Sequence, residues 1–155
     1  MKPAQSFIKS VLTISLLAGV ILTAVDSAKA LCIRTKKANL RKGPSTKHEK
    51  LWEVLKYMPL QKVSQKGSWY KVKDVDGDLY WAHSRLFTKK YKCAVIRKDK
   101  TNLRQGPGTK HKKVPWSPVD KYFSLKVLGI KGNWVHVVDA AGDRAWVYKP
   151  LVWIQ

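Results

Sequence analysis

Hydrophobic and polar residues alternate along short stretches that end at turn residues. From residue 69 to residue 75, ring or aliphatic side chains alternate with charged ones, Asp76-Gly77 follows, and residues 79 to 82 resume the alternation. Alternation with a period of two is typical of a strand with one face buried, and an Asp-Gly pair favours a hairpin turn. The same order recurs at residues 134–138 and 144–147. The pattern therefore predicts a β-hairpin in both places.

The hairpin occurs twice because the chain is internally duplicated. Residues 39–48 return at 102–111 with an offset of 63 and eight of ten positions unchanged, and Lys66-Gly67-x-Trp69 returns as Lys131-Gly132-x-Trp134 with an offset of 65. The two additional residues fall in the stretch 115–118, Pro-Trp-Ser-Pro. A repeat of this length indicates a duplicated domain rather than a solenoid unit.

The strand pattern indicates an all-β fold. The stretch 49–57 has some helical spacing, but its counterpart contains Pro115 and Pro118, which would break a helix. Short strands with frequent turns in a unit of about 60 residues favour a small barrel that curls to remove its sheet edges. The residues expected in the two barrel interiors are Leu40, Val63, Tyr70, Val72, Ala82 and Leu86, and Leu103, Leu128, Val135, Val137, Val147 and Leu151.

The chain begins with an apolar segment that predicts export. Lys2 and Lys9 precede an almost uninterrupted apolar run from residue 11 to residue 25, which ends at Ala28-Lys29-Ala30. This is typical of a signal peptide, residues 1–30, cleaved after Ala30. The run is too short for a stable membrane span. An uncleaved anchor and a lipoprotein acylated at Cys32 are the alternatives, although bulky Leu31 fits lipid attachment poorly. We expect a periplasmic or secreted protein with no stable membrane span after cleavage.

The charge balance favours anionic partners. The chain has 31 Lys and Arg against 10 Asp and Glu, and removing residues 1–30 takes away three lysines and one aspartate, which leaves 28 against nine and a formal charge of +19. Such a field attracts cell-wall polymers, lipopolysaccharide phosphates, acidic lipids or nucleic acid. A solvated, soluble surface is the alternative, and export argues against nucleic acid.

Two cysteines occupy nearly matching positions, one at the start of each copy. Copies of about 60 residues bury little core and need additional stabilisation. An exported chain with an even cysteine count favours a Cys32–Cys93 disulfide, whereas free thiols are the alternative. The bond would link the copies, close a loop of about 60 residues and contribute about 3 to 4 kcal/mol.

The motifs resemble those of a known family. The chain resembles the bacterial SH3 domain, often called SH3b, in four motifs: Asn-Leu-Arg-x-Gly-Pro, Gly-x-Trp, an Asp-Gly or Gly-Asp turn, and a closing Trp. The motifs come in the family's order, they occur twice, and the resemblance covers nearly all of residues 31–155. The resemblance implies two tandem small SH3-like β-barrels after the signal peptide, residues 31–89 and 93–155. It also implies an envelope protein that binds peptidoglycan. Where the family commonly has Gly before the closing Trp, this chain has Tyr80 and Ala145, which predicts a differently shaped surface groove there.

The catalytic motifs that would indicate an enzyme do not occur. The sequence contains no Gly-x-Ser-x-Gly, no phosphate-binding glycine loop and no His-Glu-x-x-His. Wall peptidases that contain SH3b modules also have a separate catalytic domain, for which the two copies leave no room. His48 and His111 recur at equivalent positions, but lysines flank them and repel a cation. We expect no catalysis, no cofactor and no metal.

Two kinds of residue are candidates for ligand binding. Arg41 and Arg104 could hold a carboxylate or phosphate with two parallel hydrogen bonds, or could pair structurally with an acid such as Asp74 or Asp139. Gly-Pro after each arginine is explained by turn geometry, with Gly permitting an unusual torsion. Ring faces near the hairpins could stack on sugar or peptide, and these aromatic candidates are Trp69, Tyr80, Trp81, Trp134, Trp146 and Tyr148.

The sequence predicts a non-catalytic exported module that binds a cell-envelope polymer through basic and aromatic surface residues. Peptidoglycan is the favoured polymer. Two sites on one chain would raise avidity. The alternative is a protein–protein adaptor for envelope proteins, with an apolar strip at Trp153 and Ile154 as the docking surface.

Overall fold

The computed structural model describes residues 30–155. The predicted export signal, residues 1–30, lies outside the described residues except for Ala30. The described part contains twelve β-strands and two single-turn 3-10 helices, Ser84–Leu86 and Lys149–Leu151, with no α-helix, so the predicted all-β class is confirmed. Nowhere in residues 30–155 is there a helix of the length and apolarity that crossing a bilayer requires.

The first barrel is a single antiparallel sheet of seven strands in the order β3-β2-β6-β5-β4-β1-β7. Its hairpin β5–β6 lies where the alternating pattern predicted it, with Trp69 opposite His83 and Lys73 opposite Leu79. The strands are β1 (Ala30–Ile33), β2 (Lys37–Arg41), β3 (Lys50–Leu55), β4 (Pro59–Lys66), β5 (Trp69–Lys73), β6 (Leu79–His83) and β7 (Phe87–Thr88).

The second barrel repeats this arrangement with five strands in the order β11-β10-β9-β8-β12. It has no strands equivalent to β2 and β3, and isolated bridges Thr101–Val119 and Arg104–Lys113 stand in their place. Proline has no backbone N–H to contribute to a sheet, and Pro115 and Pro118 lie in this stretch. The strands are β8 (Cys93–Ile96), β9 (Ser124–Lys131), β10 (Trp134–Val138), β11 (Arg144–Tyr148) and β12 (Val152–Ile154).

The two cores contain most of the residues that the alternation placed inside. Leu40, Val72, Ala82, Leu103, Val135, Val137 and Val147 are buried, and Tyr70, Leu86 and Leu151 are partly buried and pack against the cores.

Two core predictions are wrong, and both fail for the same reason. Val63 and Leu128, which are 65 residues apart, are 53% and 40% exposed. In β4 the register shifts between Lys62 and Ser64, and in β9 it shifts between Val127 and Gly129. Val63 and Leu128 are therefore each the additional residue of a β-bulge. A bulge reverses the alternation locally, and it therefore turns an expected core side chain towards solvent.

Strand β8 belongs to both barrels. All four of its residues are buried. Ala94 and Ile96 lie in the second core, whereas Val95 lies in the first core and Trp153 of β12, its register partner, packs beside it. Successive strand side chains point to opposite faces, so β8 forms a wall shared by the two cores.

A disulfide and several polar contacts further connect the barrels. Cys32 in β1 is bonded to Cys93 in β8, with a Cα–Cα distance of 5.9 Å, so the predicted disulfide is present. Ser124 Oγ donates a hydrogen bond to the Lys56 carbonyl oxygen at 2.8 Å. Asp76, at the turn after β5, accepts hydrogen bonds from Lys121 Nζ and from the Tyr122 hydroxyl.

Candidate functional site

The most strongly repeated segment of the sequence forms a loop that its own side chains stabilise. The Arg41 guanidinium Nη1 donates to the His48 carbonyl oxygen at 2.8 Å, and Arg104 Nη1 donates to the His111 carbonyl oxygen at the same distance. Neither arginine forms an ion pair with an acid in residues 30–155, since the ion pairs there involve only lysines. The alternative pairing of these arginines with Asp74 or Asp139 is therefore wrong.

The glycine of this segment is required for space rather than for an unusual torsion. A Cβ added to Gly43 would lie 2.3 Å from the His48 ring, and one added to Gly106 would lie 2.5 Å from the His111 ring. Neither glycine has a positive φ. The explanation of this Gly-Pro by glycine's torsional freedom is thus wrong: the repeated glycine and the repeated histidine are in direct contact.

The hairpin of each barrel presents a row of rings on its outer face. On β5 and β6, Val72 and Ala82 point inward, so Trp69 and Trp81 point outward. Trp69 contacts His83 across the strands with ring centroids 5.4 Å apart. In the second barrel the corresponding pair is Trp134 and Tyr148 at 5.7 Å, and Trp146 stacks on His136 at 4.6 Å.

The arginine loop and the outer ring pair of the first barrel enclose a groove, which we call the first groove. Its cavity volume is about 250 Å³. Arg41 lies beside the Trp69 and His83 rings there. The residues around it are Lys37, Ala38, Asn39, Arg41, Thr46, Glu53, Trp69, His83, Arg85 and Leu86.

The second barrel has an equivalent second groove, with a volume of about 670 Å³. Arg104, Trp134 and Tyr148 occupy the places of Arg41, Trp69 and His83. Its lining is Lys98, Asp99, Lys100, Thr101, Asn102, Arg104, Gly108, Thr109, Trp134, Tyr148 and Leu151. The duplication has therefore produced two grooves, each with a guanidinium, an indole ring and a second ring.

The electrostatics of the first groove include an internal carboxylate. Glu53 on β3 forms an ion pair with Lys37 on β2, with Oε1 and Nζ 2.7 Å apart, and its second oxygen lies 3.9 Å from Lys50 Nζ. The hydrogen bond from Lys37 lowers the pKa of the Glu53 carboxyl below its ordinary value. Glu53 therefore stays ionised in the groove at neutral pH.

Tyr80 is partly buried and points towards the first core rather than outward. It packs against the first core, 6.1 Å from the Trp52 ring centroid. Burial, together with the neighbouring carboxylates of Asp74 and Asp78, raises the pKa of Tyr80 to about 12. Ala145, its counterpart, is buried in the second core. The expectation that Tyr80 and Ala145 shape a surface groove is therefore wrong, because both side chains point inward.

Buried Asp74 organises the hairpin turn beside Tyr80. Its side chain is 3% exposed, and Oδ1 accepts the backbone N–H groups of Asp76 and Asp78 at 3.0 and 2.9 Å. Burial raises the pKa of the Asp74 carboxyl, although these hydrogen bonds lower it. In the second barrel Asp139 accepts three backbone N–H groups in the same way. These acids are turn residues.

Of the eight ligand-binding candidates, the structure brings five into the two grooves. Arg41 and Trp69 line the first, and Arg104, Trp134 and Tyr148 line the second. Trp81 and Trp146 lie beside the grooves on the same outer faces, while Tyr80 points towards the first core.

Sequence reasoning missed His83, Lys37 and Lys100 as groove residues. The counterpart of His83 in the second barrel is Tyr148, itself a candidate. The offset of 65 alone would have identified His83.

The apolar strip proposed for docking a partner is used within the molecule. Trp153 packs against the first core, and Ile154 packs against the second. In residues 30–155 no three His, Cys, Asp or Glu residues lie together in a way that could hold a metal ion.

The fold and the paired grooves define a tandem of small SH3-like β-barrels. The model of the bacterial SH3 domain matches the chain twice, at residues 34–88 and 97–153. These matches cover more than half of the chain, so it belongs to the bacterial SH3 domain family, and the resemblance noted in the sequence is confirmed. The bacterial SH3 domain is typically a binding module.

Several solved structures are similar to the chain, among them these three. An NlpC/P60 family protein from Bacillus cereus ATCC 10987 is 18% identical, with 82% of this chain and 56% of that chain covered and a TM-score of 0.36. NlpC2 from Trichomonas vaginalis is 7% identical, with 80% and 47% covered and a TM-score of 0.34. NlpC1 from Trichomonas vaginalis is also 7% identical, with 79% and 44% covered and a TM-score of 0.33. The chain spans about half the length of these proteins. Comparison with curated proteins found no match.

Proposed function

We propose that this protein is an exported, non-catalytic binding module that engages peptidoglycan through its two grooves. The observation that carries the proposal is the duplicated combination of a guanidinium and an indole ring in one groove, Arg41 with Trp69 and Arg104 with Trp134. Membership of a family of binding domains supports it, and the disulfide supports a location outside the cytoplasm, where such bonds persist.

Each groove offers two complementary kinds of contact. The arginine uses one N–H on a backbone carbonyl, so its remaining donors are free for a carboxylate of the kind that peptide stems contain. Trp69 and Trp134, which are partly buried, offer their exposed ring faces to the apolar face of a sugar. A polymer with alternating glycan and acidic peptide presents both groups repeatedly, so two grooves on one chain raise the overall affinity.

Sedimentation of the mature protein with purified, insoluble peptidoglycan tests the proposal. Trp69→Leu with Trp134→Leu is expected to weaken binding about tenfold or more, since buried aromatic contacts dominate such surfaces. Trp81→Leu with Trp146→Leu is the matched control, because these rings lie on the same outer faces but do not line the grooves. Equal weakening by both pairs would contradict a groove site, and absence of binding at low salt would refute the proposal.

The salt dependence separates charge from ring contacts. Contacts between exposed charges are screened over about 8 Å at physiological ionic strength, whereas ring contacts are insensitive to salt. We expect the wild-type protein to keep part of its affinity at 0.5 M salt and the Trp69→Leu/Trp134→Leu variant to lose nearly all of it. Identical salt curves for the two proteins would indicate that the lysines alone bind the polymer.

A further inference from the structure

The two grooves have the same functional side chains but different dimensions. In both, an arginine lies beside a tryptophan and a second ring, but the cavity measures about 250 Å³ in the first barrel and about 670 Å³ in the second. The duplicated hairpins pair in the same register, whereas the opposite wall of the groove differs between the barrels.

That wall is a two-stranded ladder only in the first barrel. Strands β2 and β3 form five registered pairs, from Lys37–Leu55 to Arg41–Lys50. The corresponding part of the second barrel has the two isolated bridges instead. Prolines at 115 and 118 remove backbone donors from this segment. The inserted Pro-Trp-Ser-Pro stretch is thus the sequence difference that coincides with the wider second groove.

The same difference changes the charge inside the groove. Val54 pairs with Ala38, and Val119 pairs with Thr101 at the equivalent place, so Pro118 stands where the first barrel has Glu53. The second groove therefore contains no counterpart of the Glu53 carboxylate that is bonded to Lys37 in the first.

Each groove contains three Lys or Arg residues and one carboxylate, but the carboxylates are placed differently. Asp99 of the second groove accepts the backbone N–H of Lys121 at 2.9 Å. Within residues 30–155, Lys98, Lys100 and Arg104 form no ion pair. In that part of the chain all three cations of the second groove are therefore unpaired, whereas in the first groove Arg41 and Arg85 are unpaired and Lys37 is paired with Glu53.

We infer that the second groove is the principal carboxylate-binding site, and that Glu53 weakens the first groove by occupying the lysine that a ligand carboxylate would use. The inference rests on the proposed function, since it assumes that the grooves are the binding surfaces. A ligand carboxylate in the first groove must displace Glu53 from Lys37, whereas the carboxylate of the second groove, Asp99, accepts a backbone N–H and leaves the lysines and the arginine there unpaired within the described residues.

The test is a nuclear magnetic resonance titration of the full mature chain with N-acetylmuramyl dipeptide, a soluble sugar-peptide with a free carboxylate. The indole N–H signals of Trp69 and Trp134 report on the two grooves separately. We expect Trp134 to reach half of its shift at a concentration about two- to fivefold below that for Trp69, the range that exposed charge pairs produce. Equal midpoints, a lower midpoint for Trp69, or no shift of either signal would overturn the inference.

Two variants with matched controls test the residues. Glu53→Gln is expected to lower the Trp69 midpoint at least twofold more than Glu49→Gln, which makes the same charge change at an exposed residue outside the grooves. Lys100→Asn is expected to raise the Trp134 midpoint more than Lys110→Asn does, because only Lys100 lines the groove. Asparagine is the replacement because Lys100 has φ 54°, a conformation that asparagine tolerates. A Glu53→Gln effect no larger than that of Glu49→Gln would overturn the inference.

The failure of the inference and the failure of the proposed function are distinguishable. If intact peptidoglycan sediments the protein but the two indoles respond at the same concentration, the inference fails and the proposed function stands. If Trp134 responds first but peptidoglycan does not sediment the protein, the inference stands as a carboxylate preference and the proposed function fails.

Discussion

The disulfide is expected to stabilise the two barrels unequally. The Cys32–Cys93 bond has a sequence separation of 61 and encloses nearly the whole of the first barrel. The second barrel follows Cys93 and lies outside the closed loop. Because a disulfide restricts only the unfolded chain inside its loop, its loss should destabilise the first barrel directly and the second barrel to a smaller extent, through the wall that β8 shares between the two cores.

The magnitude follows from the length of the loop. For a separation of 61, the loss of loop-closure entropy corresponds to about 4 kcal/mol at 25 °C. For a domain of this size, about 4 kcal/mol lowers the Tm by roughly 15 to 30 °C. A single core of this size supplies only about 3 to 5 kcal/mol, so the first barrel without the bond should be close to unfolding at room temperature.

Hydrogen exchange at individual amides, with and without a reductant, measures this asymmetry. The amides of β5 and β6 should lose protection upon reduction, while those of β10 and β11 should largely keep theirs. Reduction of the wild-type protein retains both sulfur atoms, so it separates the effect of the bond from the packing defect of a Cys32→Ala/Cys93→Ala variant. Equal loss of protection in both barrels, or a loss below about 1 kcal/mol, would refute the loop-closure reasoning.

Three further outcomes are expected. Gly43→Ala should cost about 1 to 3 kcal/mol of unfolding free energy in chemical denaturation, because its Cβ would meet the His48 ring; Gly129→Ala, which meets nothing within 4 Å, is the control, and a His48→Ala background should restore stability. Asp74→Ala should cost about 1 to 3 kcal/mol by leaving two turn N–H groups without an acceptor, whereas Asp74→Asn keeps an acceptor oxygen and should cost less; equal losses in thermal melts would count against this account. Hydrogen bonds from the second barrel, chiefly the one from the Lys121 ammonium, lower the pKa of the Asp76 carboxyl below its ordinary 3.8. Its stabilising contribution should therefore be complete above that value and disappear as the pH falls through the lower folded pKa; a stability–pH curve unchanged in Asp76→Asn would disprove it.

The hairpins and the duplication could be predicted because their information is local. The alternation around Trp69, the Asp-Gly turn and the offsets between the copies depend only on neighbouring residues. Val63 and Leu128 were misplaced because a bulge adds one residue to a strand without a clear compositional signal. Tyr80 lies two positions before Ala82 on the same strand and pairs with Val72. Strict alternation of inward and outward side chains would therefore have predicted that Tyr80 points inward.

The candidate site was only partly predictable because its residues are distant in the sequence. Arg41 and Trp69 are separate candidates in the sequence, and their meeting in one groove depends on the pairing of β2 with β6, which joins Arg41 to Trp81, 40 residues further along the chain. His83 and Glu53 join the groove through the same sheet order. The packing of Trp153 against the first core was not predictable, because an apolar residue has the same sequence pattern whether it packs internally or stays exposed.

The sequence by itself determined the two all-β copies, their hairpins, the cysteine pair and the strongly basic surface, since these follow from composition, periodicity and repetition. Only the tertiary structure decided that β8 is a wall of both cores, that the repeated histidine packs on the repeated glycine, and that the two grooves differ in width and in internal charge. Those features arise from contacts between residues far apart in the chain, and such contacts depend on strand order and register rather than on any local pattern.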